Sequence, residues 1–346
     1  MLLKPIRPSN IAILGTFKCS AACQECCFEC SPNLSQELSL HEIKSFINQA
    51  TKINTVKFIV WSGGECFLLG KKLLDGISYA YEHNLVSRCV TNGFWASSLD
   101  EAKLILEPMA KSGLKELSLS TGDDHQQFVK IENILNATIV ALNLGIIVAI
   151  AIETTKNSKF KKEDLVNHQL YKKYIKDKDI EKNLKIISTI WMSFHTDRTF
   201  KYEDILNVEK EYSGCDSLFD SIVLTPDKSI ASCCGLTLEH IPEMHIGELN
   251  ENNVNELYEK QFLDFIKIWI YVDGAAKILT KVKQWNTNIE YPKFVHVCQS
   301  CAYLYHNTEV MNTIKNNFQK IIEEVLEKYE SKRVLRESLQ ELQVSR

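Results

Sequence analysis

No apolar run in this chain is long enough to cross a membrane. The longest, GIIVAIAI over residues 145–152, falls far short of the roughly 20 residues a spanning helix needs. Positive charge is not in excess either. The 40 Lys and Arg stand against 44 Asp and Glu, for a formal charge of −4, which argues against nucleic acid as a partner. The N-terminal MLLKPIRPSNIAILG lacks the continuous apolar stretch of a secretory signal, because Pro5 and Pro8 interrupt it. The expectation is a cytoplasmic protein with no membrane contact. Internal repeats and low-complexity linkers are absent too. Without export, disulfides are not expected to persist. The chain nevertheless holds 12 cysteines, and five of them crowd into CSAACQECCFEC, residues 19–30. Clustered cysteines in such a setting read as metal ligands.

The rest of the composition is that of a soluble globular protein. Of the 346 residues 45% are hydrophobic and 24% charged, enough for one large domain and a smaller one. Apolar runs and helical patterns alternate. IAILG (11–15), TVKFIVWSGG, LVSRCVTNG, LKELSLSTG, IIVAIAIETT and LKIISTIWMSF read as strands. LSLHEIKSFINQATKI, with Ser39 as N-cap, opens the intervening helices, and a Lys-rich segment over 161–179 closes them. Six strands with five helices between them predict an α/β fold with parallel strands and crossover helices. Such a sheet carries its chemistry at the carboxyl ends of its strands. The cysteine-rich loop, SGGE (62–65), TNG (91–93) and STGDDHQQF all follow strands, so all four are expected on one rim.

Cys19, Cys23 and Cys26 fit C-x3-C-x2-C. Cysteine thiolates in close spacing hold iron–sulfur clusters, and three ligands leave one iron open. A zinc knuckle is the plain alternative. Together with SGGE, the motif resembles that of the radical S-adenosylmethionine (SAM) enzymes. That resemblance implies a partial (β/α)6 barrel in which Cys19, Cys23 and Cys26 hold a [4Fe–4S] cluster and SAM chelates the fourth iron. It implies Gly63, Gly64 and Glu65 at the SAM amino group, the glycines by letting backbone come close. Asn92 is implied near SAM, and Ser118 and Ser120 at its ribose, although a polar strand end explains the two serines equally well. One departure stands out. The family often has an aromatic residue before the third cysteine, near the adenine. Here that residue is Glu25, with Phe28 as a candidate substitute. Cys27 and Cys30 are read as non-ligands, Cys30 as a small buried hydrophobe.

Past Cys215 the character changes. SIVLTPDKSIASCCG (221–235) reads as a hairpin around a Pro-Asp turn, ending at Cys233 and Cys234. HIGELNENNVNELYEKQF then leads into a helix, and CQSC (298–301) is another C-x2-C. The progression resembles the twitch or SPASM half-domain of many radical SAM enzymes, a small α+β unit. The resemblance implies one auxiliary [4Fe–4S] cluster on Cys215, Cys298, Cys301 and one of the adjacent pair. Four thiolates also suit zinc. Neighbouring side chains in an extended segment point opposite ways, so one of the pair can face a cluster and the other the barrel mouth. The order is open. We place Cys233 on the cluster and Cys234 towards substrate, because Gly235 permits a turn there. The expected division is a barrel over 1–205, the auxiliary-cluster domain over 206–306 and a C-terminal helix over 307–346, which has a helical apolar period.

The resemblance also implies an activity. A reduced cluster cleaves SAM, and the resulting 5′-deoxyadenosyl radical takes hydrogen from an unactivated carbon. STGDDHQQFV resembles the D-D-x-H-x-x-F/Y stretch of some peptide-modifying members, and CCFECSP the equivalent loop of peptidyl epimerases. A precursor peptide as substrate, a flavodoxin or ferredoxin as reductant, and L-to-D epimerisation with Cys234 as hydrogen donor are therefore implied. Oxidation or thioether or C–C cross-linking is the second reading, and a zinc-stabilised binding protein the third.

Overall fold

The computed structural model describes residues 3–194, 200–202 and 214–344. The expected boundary between residues 205 and 206 lies outside them. Strands β1 (Asn10–Leu14), β2 (Phe58–Ser62), β3 (Val86–Thr91), β4 (Leu114–Thr121), β5 (Ile147–Thr154) and β6 (Leu184–Ile190) pair in parallel, in chain order. Between them run α1 (Leu40–Ala50), α2 (Lys71–Glu82), α3 (Leu99–Lys111), α4 (Ile131–Asn143) and the short pair α5 (Lys162–Asn167) and α6 (Gln169–Tyr174). Ser39 caps α1 as expected, in a capping box closed by Glu42. The Lys-rich segment differs from the expected single helix. His168 is extended there, and its ring accepts the Leu170 N–H, so that it ends α5 and caps α6.

Strand alternation divides the side chains into two sets. Ile59, Trp61, Cys89, Leu117, Leu119, Val148, Ile150 and Ile152 are buried. Gly76 of α2 meets the Trp61 ring, which marks this face as the helix-covered one. The opposite, inner face carries Val60, Ser62, Val90, Ser118, Ser120, Ala149 and Ala151, all only partly buried. Small and polar residues thus line an open lumen, and apolar ones form the outer core.

The sheet does not end at β1. The expected hairpin, β7 (Ser221–Leu224) and β8 (Ser229–Ala231), joins it with β7 parallel to β1, and β9 (His245–Glu248) follows. The nine strands run in the order β6-β5-β4-β3-β2-β1-β7-β8-β9. Helices α7 (Val254–Lys260), α8 (Phe265–Asp273), α9 (Ala275–Trp285) and α10 (Val297–His306) come next, and CQSC lies in the first turns of α10. The tail forms α11 (Thr308–Asn317) and α12 (Ile322–Val344), separated by a 3-10 turn at Phe318–Lys320, where a single helix was expected. Tyr329 of α12 is fully buried, packs edge-on against Phe262 and Tyr271, and donates to the Lys4 carbonyl at 2.8 Å. This joins the last helix to the chain start. No helix among the described residues is long and apolar enough to cross a membrane.

Candidate functional site

The loop after β1 is fixed by backbone contacts with SGGE. The Gly64 N–H donates to the Thr16 carbonyl at 2.6 Å and the Glu65 N–H to that of Lys18 at 3.0 Å. Gly63 has φ +121°, and a Cβ on Gly64 would lie 2.2 Å from the Lys18 carbonyl oxygen. The glycines are thus required by the approach of one backbone to another, beside the cysteine loop. Glu65 is fully buried and accepts from the Phe67 N–H, the Thr91 hydroxyl and the Asn92 N–H, at 3.1, 2.8 and 2.8 Å. Burial raises its carboxyl to about 7, against those three donors. Asn92 in turn donates to Ser20 Oγ at 3.0 Å and reaches Cys19 Sγ at 3.7 Å. The structure therefore brings Cys19, Gly63, Gly64, Glu65 and Asn92 into one connected group. Ser118 and Ser120 stand apart from it on the inner face of β4, level with Ala149 and Ala151.

Two carboxylates then hold the stretch between Cys23 and Cys26. Asp124, after β4, accepts the Gln24 N–H at 2.8 Å. Glu25 is 1% exposed, and its carboxylate accepts the Phe194 N–H at 2.8 Å and the Ser193 hydroxyl at 3.3 Å, just past β6. Glu25 thus fastens the loop to the last barrel strand in the place where an aromatic residue was the family expectation. Glu153, at the end of β5, pairs with the His125 ring and accepts the Asp124 N–H. DDHQQF is legible as a motif in the sequence, but this role is not. Glu153 carried no local signal, because its partner lies on the preceding loop.

The thiols respond to this setting. Burial raises Cys19 to about 11, and burial with the Asp124 charge raises Cys23 further. Cys26 moves down, chiefly through a hydrogen bond from the Cys30 thiol. Cys30 is 4% exposed and fills the loop interior behind Cys26. Removing the Asp124 carboxylate removes the acceptor that holds the Gln24 N–H to the loop after β4. The Asp124→Ala variant is therefore expected to release iron to a chelator faster than wild type after reconstitution. An unchanged release rate would show that the loop does not depend on this contact.

A second group of thiols surrounds a cavity of about 320 Å³ lined by Cys215, Cys233, Cys234, Cys298 and Cys301. The Cys215 N–H donates to the Tyr271 carbonyl at the end of α8. His296 caps α10 by accepting the Cys298 N–H at 3.2 Å. Gly235 sits between two of the thiols, and a Cβ there would lie 3.2 Å from Cys233 Sγ and 3.3 Å from Cys298 Sγ. Burial raises all four of Cys215, Cys233, Cys298 and Cys301, Cys298 to about 11, and their mutual repulsion adds to it. Among the described residues no three His, Cys, Asp or Glu side chains converge on a single ion position. These thiols ring a space instead. Cys234 differs, being exposed with Sγ 3.4 Å from the Ser221 hydroxyl, which donates to Asn10 Oδ1 at 2.5 Å. Asn10 and Ser221 begin β1 and β7. Cys234 thus stands at the opposite end of these strands from the loop of Cys19, Cys23 and Cys26, rather than at the barrel mouth where it was expected. Cys27 lies between the two thiol groups, within electrostatic reach of both Cys26 and Cys298.

No family model matches the chain. The structure of anSMEcpe with bound AdoMet and Cp18Cys peptide matches it with a TM-score of 0.50 over 89% of this chain and 99% of its own, at 13% identity. The fold is the radical SAM partial barrel. BtrN in complex with AdoMet and 2-DOIA gives a TM-score of 0.48 over 79% of this chain and 91% of its own, at 12% identity. Among curated proteins, YydG of Bacillus subtilis (strain 168), named as a peptide biosynthesis protein, is 24% identical over 301 residues. The match spans 85% of this chain and 91% of YydG. The chain resembles radical SAM enzymes of the peptide-modifying kind. On the radical SAM barrel, the cysteine loop, SGGE, TNG and DDH all lie where β1 to β4 end.

Proposed function

We propose that this chain is a radical SAM enzyme that inverts the Cα configuration of a residue in a ribosomally made peptide. The observation that carries the reading is the cysteine loop fastened to SGGE at the ends of β1 and β2, on a chain similar to YydG, and the adjacent thiols Cys233 and Cys234 suggest the subtype. Cys233 is half-buried beside Cys215 and Cys298, whereas Cys234 is exposed beside the first residues of β1 and β7. A peptide substrate is supported by the name of YydG and by the peptide bound to anSMEcpe.

Cys19, Cys23 and Cys26 would hold the SAM-binding [4Fe–4S] cluster, with Gly63, Gly64, Glu65 and Asn92 shaping the SAM side and Ser118 and Ser120 the ribose side. Cys215, Cys233, Cys298 and Cys301 would hold the auxiliary cluster. The donor set suits it, and so does the missing Cβ at Gly235, which leaves room between two of the thiols. When bound, the first cluster and SAM supply a carbon radical that removes one hydrogen atom from substrate. Glu65 and Asn92 hold the ends of β2 and β3 against the cysteine loop. Asp124 and Glu25 keep that loop closed, which protects a reactive radical from water. Cys234 is the proposed donor of the returning hydrogen, a C–H bond forming as its S–H bond breaks; because it lies by the first residues of β1 and β7, this role requires the peptide to reach from the end of β1 to that thiol. One electron from a flavodoxin- or ferredoxin-type reductant and one proton from water then restore the thiol.

The test is anaerobic turnover in D2O with SAM, dithionite and candidate precursor peptides drawn from any short reading frames beside the gene. The expected product is heavier by one deuterium at Cα and yields a D-amino acid on hydrolysis. A peptide lighter by two hydrogens would instead establish oxidation or cross-linking.

A further inference from the structure

Two buried polar side chains behind the second thiol group have no role in the reading so far. Lys267, on α8, is 3% exposed, although lysine is among the residues least often buried. It lies within electrostatic reach of Cys233, Asp264 and Glu243. One oxygen of Asp264, Oδ1, is engaged as the N-cap of α8, accepting the Ile266 and Lys267 N–H groups at 2.9 and 3.2 Å. Glu243 is exposed to solvent, which screens it. Tyr305, on α10, is 8% exposed, and its hydroxyl is buried with no hydrogen-bond partner among the described residues. It lies within electrostatic reach of Asp264, Cys301, Glu243 and Cys233.

Helix geometry places both groups on the thiol side. Tyr305 follows Cys301 by four residues on α10, so the two share a helix face. Ile270 lines the thiol cavity and follows Lys267 by three residues on α8, again on one face. Neither Lys267 nor Tyr305 lines the cavity itself. Both stand one layer behind the sulfurs. An unpaired buried hydroxyl costs free energy, and a buried ammonium costs more. Four thiolates without a metal repel one another, yet a cluster they hold is net negative. That charge compensates Lys267 and gives Tyr305 an acceptor.

We propose that Lys267 and Tyr305 are positioning residues of the auxiliary cluster that raise its reduction potential, by a buried positive charge and a donated hydrogen bond. The proposal rests on the auxiliary-cluster reading above. One-electron reduction adds negative charge at the site, and both groups favour the more negative form.

The experiment uses the full chain with Cys19, Cys23 and Cys26 changed to alanine, so that auxiliary iron is the only iron. The probe is that iron, titrated anaerobically with Ti(III) citrate and followed by electron paramagnetic resonance. Lys267→Met is expected to lower the reduced-to-oxidised ratio at a fixed potential at least tenfold, which for one electron is about 59 mV. Tyr305→Phe is expected to lower it in the same direction by a smaller factor. Lys267→Arg, which keeps the charge, is expected to restore most of the loss. If Lys267→Met fails to retain iron, Tyr305→Phe carries the test, since it removes a single oxygen. An unmoved midpoint in the iron-loaded variants overturns the proposal. A parent protein that takes up zinc and no iron overturns the auxiliary-cluster reading itself.

Discussion

Replacing Cys19, Cys23 and Cys26 together by alanine is expected to abolish reductive cleavage of SAM to 5′-deoxyadenosine while leaving about four irons on each chain. The two parts of the result come from two separate thiol groups. The first group lies on one loop whose backbone is fastened to SGGE by the Gly64 and Glu65 N–H groups, and whose middle is held by Asp124 and Glu25. The variant leaves those fastenings in place, so the barrel is expected to fold. The second group lies just after β8, on α10 and on the segment before β7, packed under α8, and depends on none of the three changed residues. Iron and acid-labile sulfide analysis after anaerobic reconstitution, with chromatographic detection of 5′-deoxyadenosine, reads both parts. Undiminished cleavage would reject the assignment of the loop. Loss of all iron would mean that the chain holds one cluster only.

The main architecture was legible because parallel strands buried on one face by crossover helices leave a plain pattern. TVKFIVWSGG and LKELSLSTG alternate as sheet residues must, and Ser39 with Glu42 is a capping box visible three residues apart. The breaks were less legible. His168 splits the Lys-rich segment through a side-chain hydrogen bond, and a 3-10 turn at Phe318–Lys320 interrupts the tail. Neither feature changes the hydrophobic period. Helix α8 also escaped, because FIKIWIYVD is apolar on nearly every side, whereas α9 was missed although AAKILTKVKQW carries a readable amphipathic period. At the site, local motifs were readable because their residues adjoin in sequence. The tie from Glu25 to Phe194 was not, since it joins positions 169 residues apart. The pairing of Glu153 with His125 and the placing of Lys267 behind Cys233 likewise exist only once the sheet and helices have assembled.

Changing Cys234 to alanine is expected to separate hydrogen removal from hydrogen return. The variant keeps Cys233 at the thiol-lined cavity, so auxiliary iron is expected at the wild-type level. It keeps the whole first loop, so 5′-deoxyadenosine is expected to form in the presence of peptide. The D-residue product, however, is expected to fall to background, because the exposed thiol beside Ser221 is gone. With a peptide deuterated at Cα, deuterium is expected in 5′-deoxyadenosine for the wild type and the variant alike. In D2O only the wild type is expected to place solvent deuterium on the product Cα, since a thiol proton exchanges with water and a methyl group has none to give. Ser221 supplies a second check. Its hydroxyl contacts Cys234 Sγ while donating to Asn10. Ser221→Ala keeps the thiol and is expected to keep the label at a reduced rate. Full epimerisation by Cys234→Ala would remove Cys234 from the donor role. Loss of auxiliary iron in that variant would exchange the assignments of Cys233 and Cys234, which would make the half-buried thiol the donor and the exposed one the ligand.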